Sequence, residues 1–261
     1  MEVVILPDTA AIGGVAADAI GALFARKPTA VLGLATGSSP LAIYDELAAR
    51  CAAGKISFRQ ARGFTLDEYV GLPADHPERY RTVIDQVFVS RVDIAPDAVE
   101  GPNGLATDIP AACAAYEDAI RQAGGVDLQI LGIGTDGHIA FNEPGSSLAS
   151  RTRIKTLTHQ TRVDNARFFG DDLDAVPTHC LTQGLGTIME ARHVVLVATG
   201  RGKAEAVHQL VEGPISALWP ATILQLHPHV TVLLDEAAGR RLQLVDYYRE
   251  TYRSKPEWQG I

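Results

Sequence analysis

The chain has 261 residues, 46% of them hydrophobic and 21% charged, a size and composition that can bury a sizeable core. Its formal net charge of -8 leaves no diffuse positive field for nucleic acid or an acidic membrane, so an anionic ligand needs a local basic cluster. The opening residues lack a basic leader, and no apolar run reaches the ~18 residues of a membrane span, which predicts a soluble, cytoplasmic protein without nucleic-acid or membrane partners.

Short β-branched runs alternate with longer stretches in which apolar residues recur at helical spacing. The β-branched runs predict strands over residues 3–6, 30–34, 63–66, 126–133, 194–198 and 230–234. The amphipathic stretches predict helices over residues 9–26, 40–53, 78–89, 109–123 and 203–211. This alternation predicts an α/β fold with a doubly wound, mostly parallel, Rossmann-like sheet and helices on both faces.

No internal repeat, low-complexity tract or linker divides the sequence, so we expect a single domain over residues 1–261. Residues 141–177 differ from the rest because they are polar, rich in Arg, Thr and Ser, and too numerous for an ordinary loop. We predict that this segment is a lid-like insertion. Ligands of such sheets bind beyond the carboxyl ends of the strands, where the chemistry is to be sought.

The cysteines and histidines argue against a metal site. Cys51, Cys113 and Cys180 are widely spaced and form no CxxC pair, which argues against a disulfide framework or a thiolate zinc site. The eight histidines lack an HExxH pattern. We therefore expect no bound metal.

Small polar residues follow the second predicted strand, in the run Thr36-Gly37-Ser38-Ser39-Pro40. We predict Ser39 as the N-cap and Pro40 as the first residue of the next helix. Gly37 lets a ligand approach the backbone, and free amides at a helix N-terminus beside hydroxyl groups suit a phosphate. A capped turn that binds nothing uses the same residue types and remains an open alternative.

Two adjacent carboxylates, Asp67 and Glu68, follow the third predicted strand. One of them can serve as a general base if it is fixed at a substrate and partly desolvated, because desolvation raises the pKa of a carboxyl group toward the working pH. The alternative is an acidic turn in water, which is the usual environment of such pairs.

Three residues of types that transfer protons follow the strand predicted at residues 126–133, namely Asp136, His138 and Glu143. A turn can bring both carboxylates within reach of the imidazole, and an imidazole held by a carboxylate is a proton shuttle near neutral pH. A buried structural histidine is the alternative.

Gly132, Gly134 and Gly137 also match G-x-G-x-x-G, the dinucleotide-binding fingerprint. The stretch FNEPGSSL that follows is not a crossover helix, and no acidic residue lies about twenty positions further on. The match also falls in the middle of the chain. We therefore do not expect a nicotinamide cofactor.

At these motifs the sequence resembles the glucosamine-6-phosphate deaminase (isomerase) family, nearly from end to end. The resemblance is carried by GLATGSSP, LDEYVGLPADHPERY, GIGTDGHIAFNEPGSSLASRTRIKTLTHQTR and LQLHPHVTVLLDE. The related 6-phosphogluconolactonases share the fold and a DGH turn, but FNEP and LDEYVGL are similar to the deaminases.

The resemblance implies the catalytic roles. Asp67 would be the base that moves a proton between C2 and C1 of the sugar, and His138 would open the pyranose ring with the help of Asp136 and Glu143. The substrate would be a small phosphorylated amino sugar, glucosamine 6-phosphate, and the products fructose 6-phosphate and ammonia. No step of this chemistry demands a cofactor or a metal.

By the same resemblance, a phosphate would be bound by Thr36, Gly37 and Ser38 together with Arg167 and Lys203. These two cations would supply the local positive charge that the acidic chain lacks overall. Without the resemblance, both cations could equally be solvated surface residues.

A second site is also implied, because some residues match those that bind N-acetylglucosamine 6-phosphate between subunits of allosteric, hexameric members. These residues are Ser146, Ser147, Arg153, Lys155 and Thr156. In an extended strand Arg153 and Lys155 project to the same side, and a solvated basic strand is the alternative.

The C-terminal region departs from the family pattern, because the allosteric tyrosine has no secure counterpart and Tyr247 and Tyr248 are shifted in spacing. We expect a homo-hexamer if the enzyme is allosteric and a monomer otherwise. A non-catalytic sugar-phosphate sensor with a related sheet would keep the TGSSP loop and could lose Asp67 and His138, both of which are present.

Overall fold

The computed structural model describes the backbone of residues 1–261 and every side chain except those of residues 164 and 257. In chain order the strands are β1 (Glu2–Leu6), β2 (Val31–Leu34), β3 (Arg62–Thr65), β4 (Asp67–Tyr69), β5 (Val99–Glu100), β6 (Leu128–Leu131), β7 (Arg153–Thr156), β8 (His179–Thr182), β9 (His193–Ala198) and β10 (Val230–Asp235). The α-helices are α1 (Thr9–Arg26), α2 (Leu41–Ala52), α3 (Tyr80–Val87), α4 (Ile109–Gln122), α5 (His159–Ala166), α6 (Leu185–Ile188), α7 (Ala204–Glu212), α8 (Glu236–Gly239) and α9 (Val245–Arg253).

The larger of two sheets has seven strands in the order β1-β10-β9-β6-β2-β3-β5, and its strand pairs are parallel. The chain runs outward from β2 through β3 to β5, returns to β6 on the other side of β2, and runs outward through β9 to β10. Right-handed crossovers then place the helices of the two halves on opposite faces. The predicted doubly wound α/β fold is confirmed.

The core lies between this sheet and its helices. Strands β2, β6 and β9 are buried along their whole length, as expected for parallel strands covered on both faces. Helix α1 is long and apolar enough to cross a membrane by length and composition alone. However, it buries Ile12, Ile20 and Phe24 in the core and packs against α2 and the sheet. Its apolar face therefore belongs to the core.

The smaller sheet is antiparallel, with the order β4-β8-β7, and was not predicted. Its strands are three or four residues long, so neither apolar content nor length marked them as strands, and only the alternation of Arg153 and Lys155 suggested that β7 is extended. The segment at residues 141–177 contributes β7 and α5 to this region. The C-terminal helix α9 was also missed, and it packs against β1.

The start of α2 differs from the prediction by one residue. Pro40, and not Ser39, is the N-cap, and its carbonyl accepts hydrogen bonds from the N–H groups of Ile43 and Tyr44 at 2.9 and 3.1 Å. Pro40 already has helical dihedral angles, φ -82° and ψ -7°, because its ring fixes φ close to the helical value. The Ser39 side chain therefore makes no capping hydrogen bond.

Candidate active site

The carboxyl ends of four neighbouring strands, β9, β6, β2 and β3, form the edge at which the sequence motifs meet. Residues 200–203 follow β9, residues 132–143 follow β6, residues 36–39 follow β2, and Asp67 follows β3. Adjacent strands lie ~4.8 Å apart, so the four strand ends span about 14 Å. The motifs therefore open together along a short stretch of the sheet edge.

The loop after β2 is fixed at its base and open at its tip. The Tyr44 hydroxyl donates to the carbonyl of Ala35 at 2.8 Å and accepts from its N–H at 3.0 Å. Further along, Gly37 has φ 89°, in the left-handed region that glycine adopts without strain. Gly37 and Ser38 are exposed, and Thr36 is half-buried. The loop thus presents amide and hydroxyl groups to a ligand at the sheet edge.

Asp67 lies on β4, with 6% of its surface exposed. Burial, with a smaller contribution from the negative charge of Glu68, raises the pKa of Asp67 to about 8. Within the part of the chain that the structure describes, no group donates a hydrogen bond to this carboxylate. Asp67 is therefore poised to take up and release a proton near neutral pH.

Glu68 has a different environment, although it is the next residue along β4. Its carboxylate accepts hydrogen bonds from the backbone N–H groups of Tyr69, Tyr80 and Arg81 at 2.9, 3.0 and 3.1 Å. Arg79 adds an ion pair at 3.7 Å. Tyr80 and Arg81 begin α3, so Glu68 satisfies N–H groups that the helix itself leaves unpaired. These contacts make Glu68 a structural residue.

Asp136 orients His138 through two contacts. Its Oδ1 lies 2.7 Å from His138 Nδ1 and accepts a hydrogen bond from the His138 backbone N–H at 3.2 Å. Desolvation acts to raise the pKa of Asp136, but the hydrogen bond and charge of His138 outweigh it, and the net pKa is lowered. Since the carboxylate is ionised, Nδ1 carries the proton and Nε2 is left to exchange a proton with a ligand.

Glu143 is buried, with 6% of its surface exposed, and its carboxylate is not directed at His138. It accepts hydrogen bonds from the hydroxyl groups of Thr158, at 3.2 Å, and Thr161. Thr158 is the N-cap of α5. Among the described residues no hydrogen bond joins Glu143 to His138, so the structure pairs His138 with Asp136 and pairs Glu143 with α5.

The two predicted phosphate-binding cations lie on different parts of the fold. Lys203 is half-buried in the short helical turn Arg201–Lys203 that follows β9. Arg167 is exposed at the C-terminal end of α5, with its guanidinium 4.7 Å from the centre of the Phe168 ring. Lys203 is therefore carried by the sheet edge, whereas Arg167 is carried by the segment at residues 141–177.

The predicted second site lies partly on β7. Arg153 and Lys155 are half-buried on one face of this strand, and Ile154 and Thr156 are exposed on the other, as the extended geometry predicted. Arg153 Nη1 donates a hydrogen bond to Asn142 Oδ1 at 2.9 Å. Because Asn142 precedes Glu143, the basic face of β7 is linked to the loop of the candidate active site.

The two serines of this set differ in their contacts. Ser146 is buried, and its hydroxyl has no hydrogen-bond partner among the described residues. Ser147 is exposed, and its hydroxyl accepts a hydrogen bond from the N–H of Ala149 at 3.3 Å. The Ser146 hydroxyl is thus the group of the pair that lacks a protein partner.

Several residues that contact the site were not predicted. Asn165 of α5 donates a hydrogen bond to the hydroxyl of Tyr69 at 2.9 Å, and Tyr69 shares a face of β4 with Asp67. Phe169 packs edge-on against the Tyr69 ring. Helix α5 therefore touches both the strand of Asp67 and, through Thr161, the carboxylate of Glu143. No periodic pattern signals such contacts between distant segments, so the sequence alone could not reveal them.

The described His, Cys, Asp and Glu side chains include no group of three or more that could hold a metal ion. Asp136, His138 and Glu143 are committed to hydrogen bonds instead.

Comparison with known proteins identifies the family of this chain. The model of a family described as glucosamine-6-phosphate isomerases/6-phosphogluconolactonase matches residues 9–233. A glucosamine-6-phosphate deaminase of Mycolicibacterium smegmatis is 82% identical over 261 residues, which cover 100% of both chains. The protein of the same name from Streptomyces coelicolor is 61% identical with the same coverage.

Solved structures show the same relationship. A monomeric glucosamine-6-phosphate deaminase superposes with a TM-score of 0.90 at 41% identity, covering 93% of this chain and 100% of that one. A 6-phosphogluconolactonase from Trypanosoma cruzi superposes with a TM-score of 0.74 at 22% identity, covering 93% of this chain and 97% of that one. The second likeness is one of fold.

Proposed function

We infer the function from the family, since this chain belongs to the glucosamine-6-phosphate isomerases/6-phosphogluconolactonases. Within that family it acts as a glucosamine-6-phosphate deaminase, which converts glucosamine 6-phosphate and water into fructose 6-phosphate and ammonia. The relative of that name that is 82% identical over the whole chain supports this assignment. The observation in the site that carries it is the buried Asp67, whose pKa is raised to about 8.

Binding begins at the phosphate. The loop of Thr36, Gly37 and Ser38 offers amide and hydroxyl donors, and Lys203 comes from the loop after β9, two strands away along the same edge of the sheet. Arg167 joins them from the segment at residues 141–177, which acts as a lid that closes over bound sugar. The lid, the sheet and the C-terminal helix form a single domain over residues 1–261.

Ring opening falls to His138. Asp136 holds the proton on Nδ1, so Nε2 takes the proton from the O1 hydroxyl and returns one to the ring oxygen. Glu143 supports this step indirectly, because its hydrogen bonds with Thr158 and Thr161 hold the other end of the same loop against α5.

Proton transfer between carbons falls to Asp67. It removes the C2 proton of the open-chain amino aldose, which gives an enolamine, and it delivers a proton to C1, which gives a ketose imine. Water then adds to the imine carbon, and ammonia leaves. A base with a pKa of about 8 suits both halves of the transfer, because it binds a proton well and still releases it near neutral pH.

We propose the second site on β7 for a hexameric form of the enzyme only. An anionic effector such as N-acetylglucosamine 6-phosphate binds Arg153 and Lys155 and takes the place of Asn142 Oδ1 on Arg153. The loop that carries Glu143 is then free to shift. In the hexameric arrangement this site lies between subunits, while a monomeric enzyme of the cytoplasm works without it. The likeness to a monomeric deaminase favours the monomer.

The test is a coupled assay of purified protein that follows ammonia and fructose 6-phosphate separately, with glucosamine 6-phosphate as substrate and a chelator present. Equal amounts of the two products are expected, without added cofactor. The same protein is tested on 6-phosphogluconolactone, because lactonases share the fold. Turnover of the lactone without release of ammonia would contradict the assignment.

A further inference from the structure

Asp235 joins the ends of two neighbouring strands at the proposed phosphate site. It is the last residue of β10, which pairs with β9 along the sheet. Its two carboxylate oxygens accept the backbone N–H of Gly200, in the loop after β9, at 3.0 and 2.9 Å. The same carboxylate accepts the N–H of Ala238 at 2.7 Å and so caps α8.

Gly200, whose N–H Asp235 accepts, begins the turn that carries Lys203. Gly200 has φ 85°, a left-handed conformation that redirects the chain after β9. Its carbonyl then accepts the N–H of Lys203 at 3.1 Å, which closes the turn. The position of the Lys203 backbone therefore depends on Gly200, and the position of Gly200 depends on Asp235.

We propose that Asp235 is a positioning residue for phosphate binding, which acts through Gly200 to fix the Lys203 backbone at the edge of the sheet that also carries the loop after β2. The inference rests on the proposed function, in which Lys203 binds the substrate phosphate. Asp235 does not touch the substrate. A carboxylate near a phosphate is electrostatically unfavourable. The hydrogen bonds that Asp235 accepts from Gly200 explain why a carboxylate is nevertheless present at this edge.

A purely electrostatic effect of Asp235 and a positioning role predict opposite changes in phosphate affinity when Asp235 is replaced by alanine. If its charge were all that mattered, Asp235→Asn and Asp235→Ala would both remove repulsion and tighten phosphate binding equally. If Asp235 positions the turn, Asp235→Ala weakens binding, since Gly200 loses its acceptor. Asp235→Asn retains a carbonyl oxygen that can accept from both Gly200 and Ala238, and it restores most of the binding.

The experiment measures the dissociation constant of inorganic phosphate by calorimetry, and KM and kcat for glucosamine 6-phosphate, in the wild type and both variants. We expect Asp235→Ala to raise the phosphate dissociation constant and KM together, by roughly 10-fold, with kcat changed less than about 2-fold. Asp235→Asn should lie within about 3-fold of the wild type.

The control is Asp108→Ala, which removes the N-cap of α4, where Asp108 accepts the N–H of Ala111 at 3.0 Å. This cap follows β5, five strands from β10 in the sheet, or about 24 Å away. It should lower Tm without changing phosphate binding.

Tighter phosphate binding in both Asp235 variants, or a lower Tm with unchanged phosphate binding, would overturn the positioning role. A wild type that binds phosphate but releases no ammonia would instead count against the proposed function alone.

Discussion

The two sheets contribute to the site in different ways. The large parallel sheet supplies the loops after β2, β6 and β9, whose Gly37, Ser38 and His138 are exposed or half-buried at its edge. The small antiparallel sheet supplies Asp67, which is buried and has a raised pKa. Groups that bind a charged phosphate have to meet solvent and ligand, whereas a carboxylate becomes a useful base by losing its water. The difference therefore matches the proposed roles of Gly37 and Ser38 in phosphate binding and of Asp67 in the transfer of a carbon-bound proton, while His138, the proposed proton shuttle for ring opening, lies at the edge of the large sheet.

The same contrast holds within β4. Asp67 and Glu68 are both buried carboxylates, but successive residues of a strand point to opposite faces. Glu68 meets three backbone N–H groups, and Asp67 faces the side shared with Tyr69. Adjacent residues of nearly the same chemistry thus have different environments, which suit Glu68 to a structural role and Asp67 to the proposed role of a base.

Substitution of Asp67 and of Glu68 distinguishes the roles of these two carboxylates. Asp67→Asn should lower kcat by ~10²–10⁴, the usual loss when a general base is removed, and exchange of the C2 hydrogen with solvent should fall with it. Glu68→Gln is the matched control, and it should lower Tm while kcat stays within about 10-fold of the wild type. Steady-state kinetics and hydrogen exchange followed by NMR measure both. If Glu68→Gln lost more turnover than Asp67→Asn, the roles would be reversed.

The next effect tests the binding role of the large sheet. Lys203→Ala should raise KM by roughly 10- to 150-fold with kcat nearly unchanged, because a charge-assisted hydrogen bond contributes about 1.5–3 kcal/mol. Arg167→Ala, in the segment at residues 141–177, should act in the same direction. Arg201→Ala is a control, since Arg201 is an exposed cation in the same turn. Equal effects of Arg201→Ala and Lys203→Ala would point to general charge and not to a specific contact.

The small sheet is also the proposed place at which an effector regulates activity. If β7 binds an effector, N-acetylglucosamine 6-phosphate should increase activity at low substrate with a coupling of about 1–3 kcal/mol. Lys155→Ala should abolish the activation and spare kcat at saturating substrate. Substrate curves with and without effector, together with solution mass, check both points. A monomer with hyperbolic kinetics and no response would remove the second site from the proposal.

The raised pKa of Asp67 also makes the stability of the fold depend on pH. Burial disfavours ionised Asp67, so its pKa is raised from the ~3.9 of an unfolded chain to about 8. The folded protein therefore binds a proton more tightly than the unfolded chain, and this contribution to stability is lost as pH rises from about 4 to 8. Asp67→Asn has no charge to bury, so its Tm should exceed that of the wild type by on the order of 10 °C at pH 9 and by less at pH 5. A Tm difference that is independent of pH would show that Asp67 titrates normally.

The elements predicted from the sequence are those whose pattern reflects burial. Helix α1 and strand β9 were placed within a residue of their ends, because an apolar face or a β-branched run follows directly from packing on a sheet. The three motifs after β2, β3 and β6 were also correctly placed at one edge of the sheet, since parallel strands end there together.

The remaining features depend on contacts between distant segments. Strand β7 has charged residues on the face that it half-buries, so its pattern is typical of a solvated strand. The hydrogen-bond partners of Glu143 are hydroxyl groups fifteen and eighteen residues further along the chain. The conformation of the loop, which the sequence pattern does not reveal, decides whether the carboxylate contacts these hydroxyl groups or His138. Asp235 could be expected to cap a helix after a strand, but its hold on Gly200 follows only from the pairing of β9 with β10.

A titration of the Asp67 carboxyl carbon by ¹³C NMR, in the protein without substrate, measures directly whether this side chain is a desolvated base. The resonance is identified by its loss in Asp67→Asn. A midpoint near pH 8 is expected, because the buried carboxylate has its pKa raised to about that value. A midpoint near the ~3.9 of a solvated aspartate would contradict the account of Asp67 as a desolvated base.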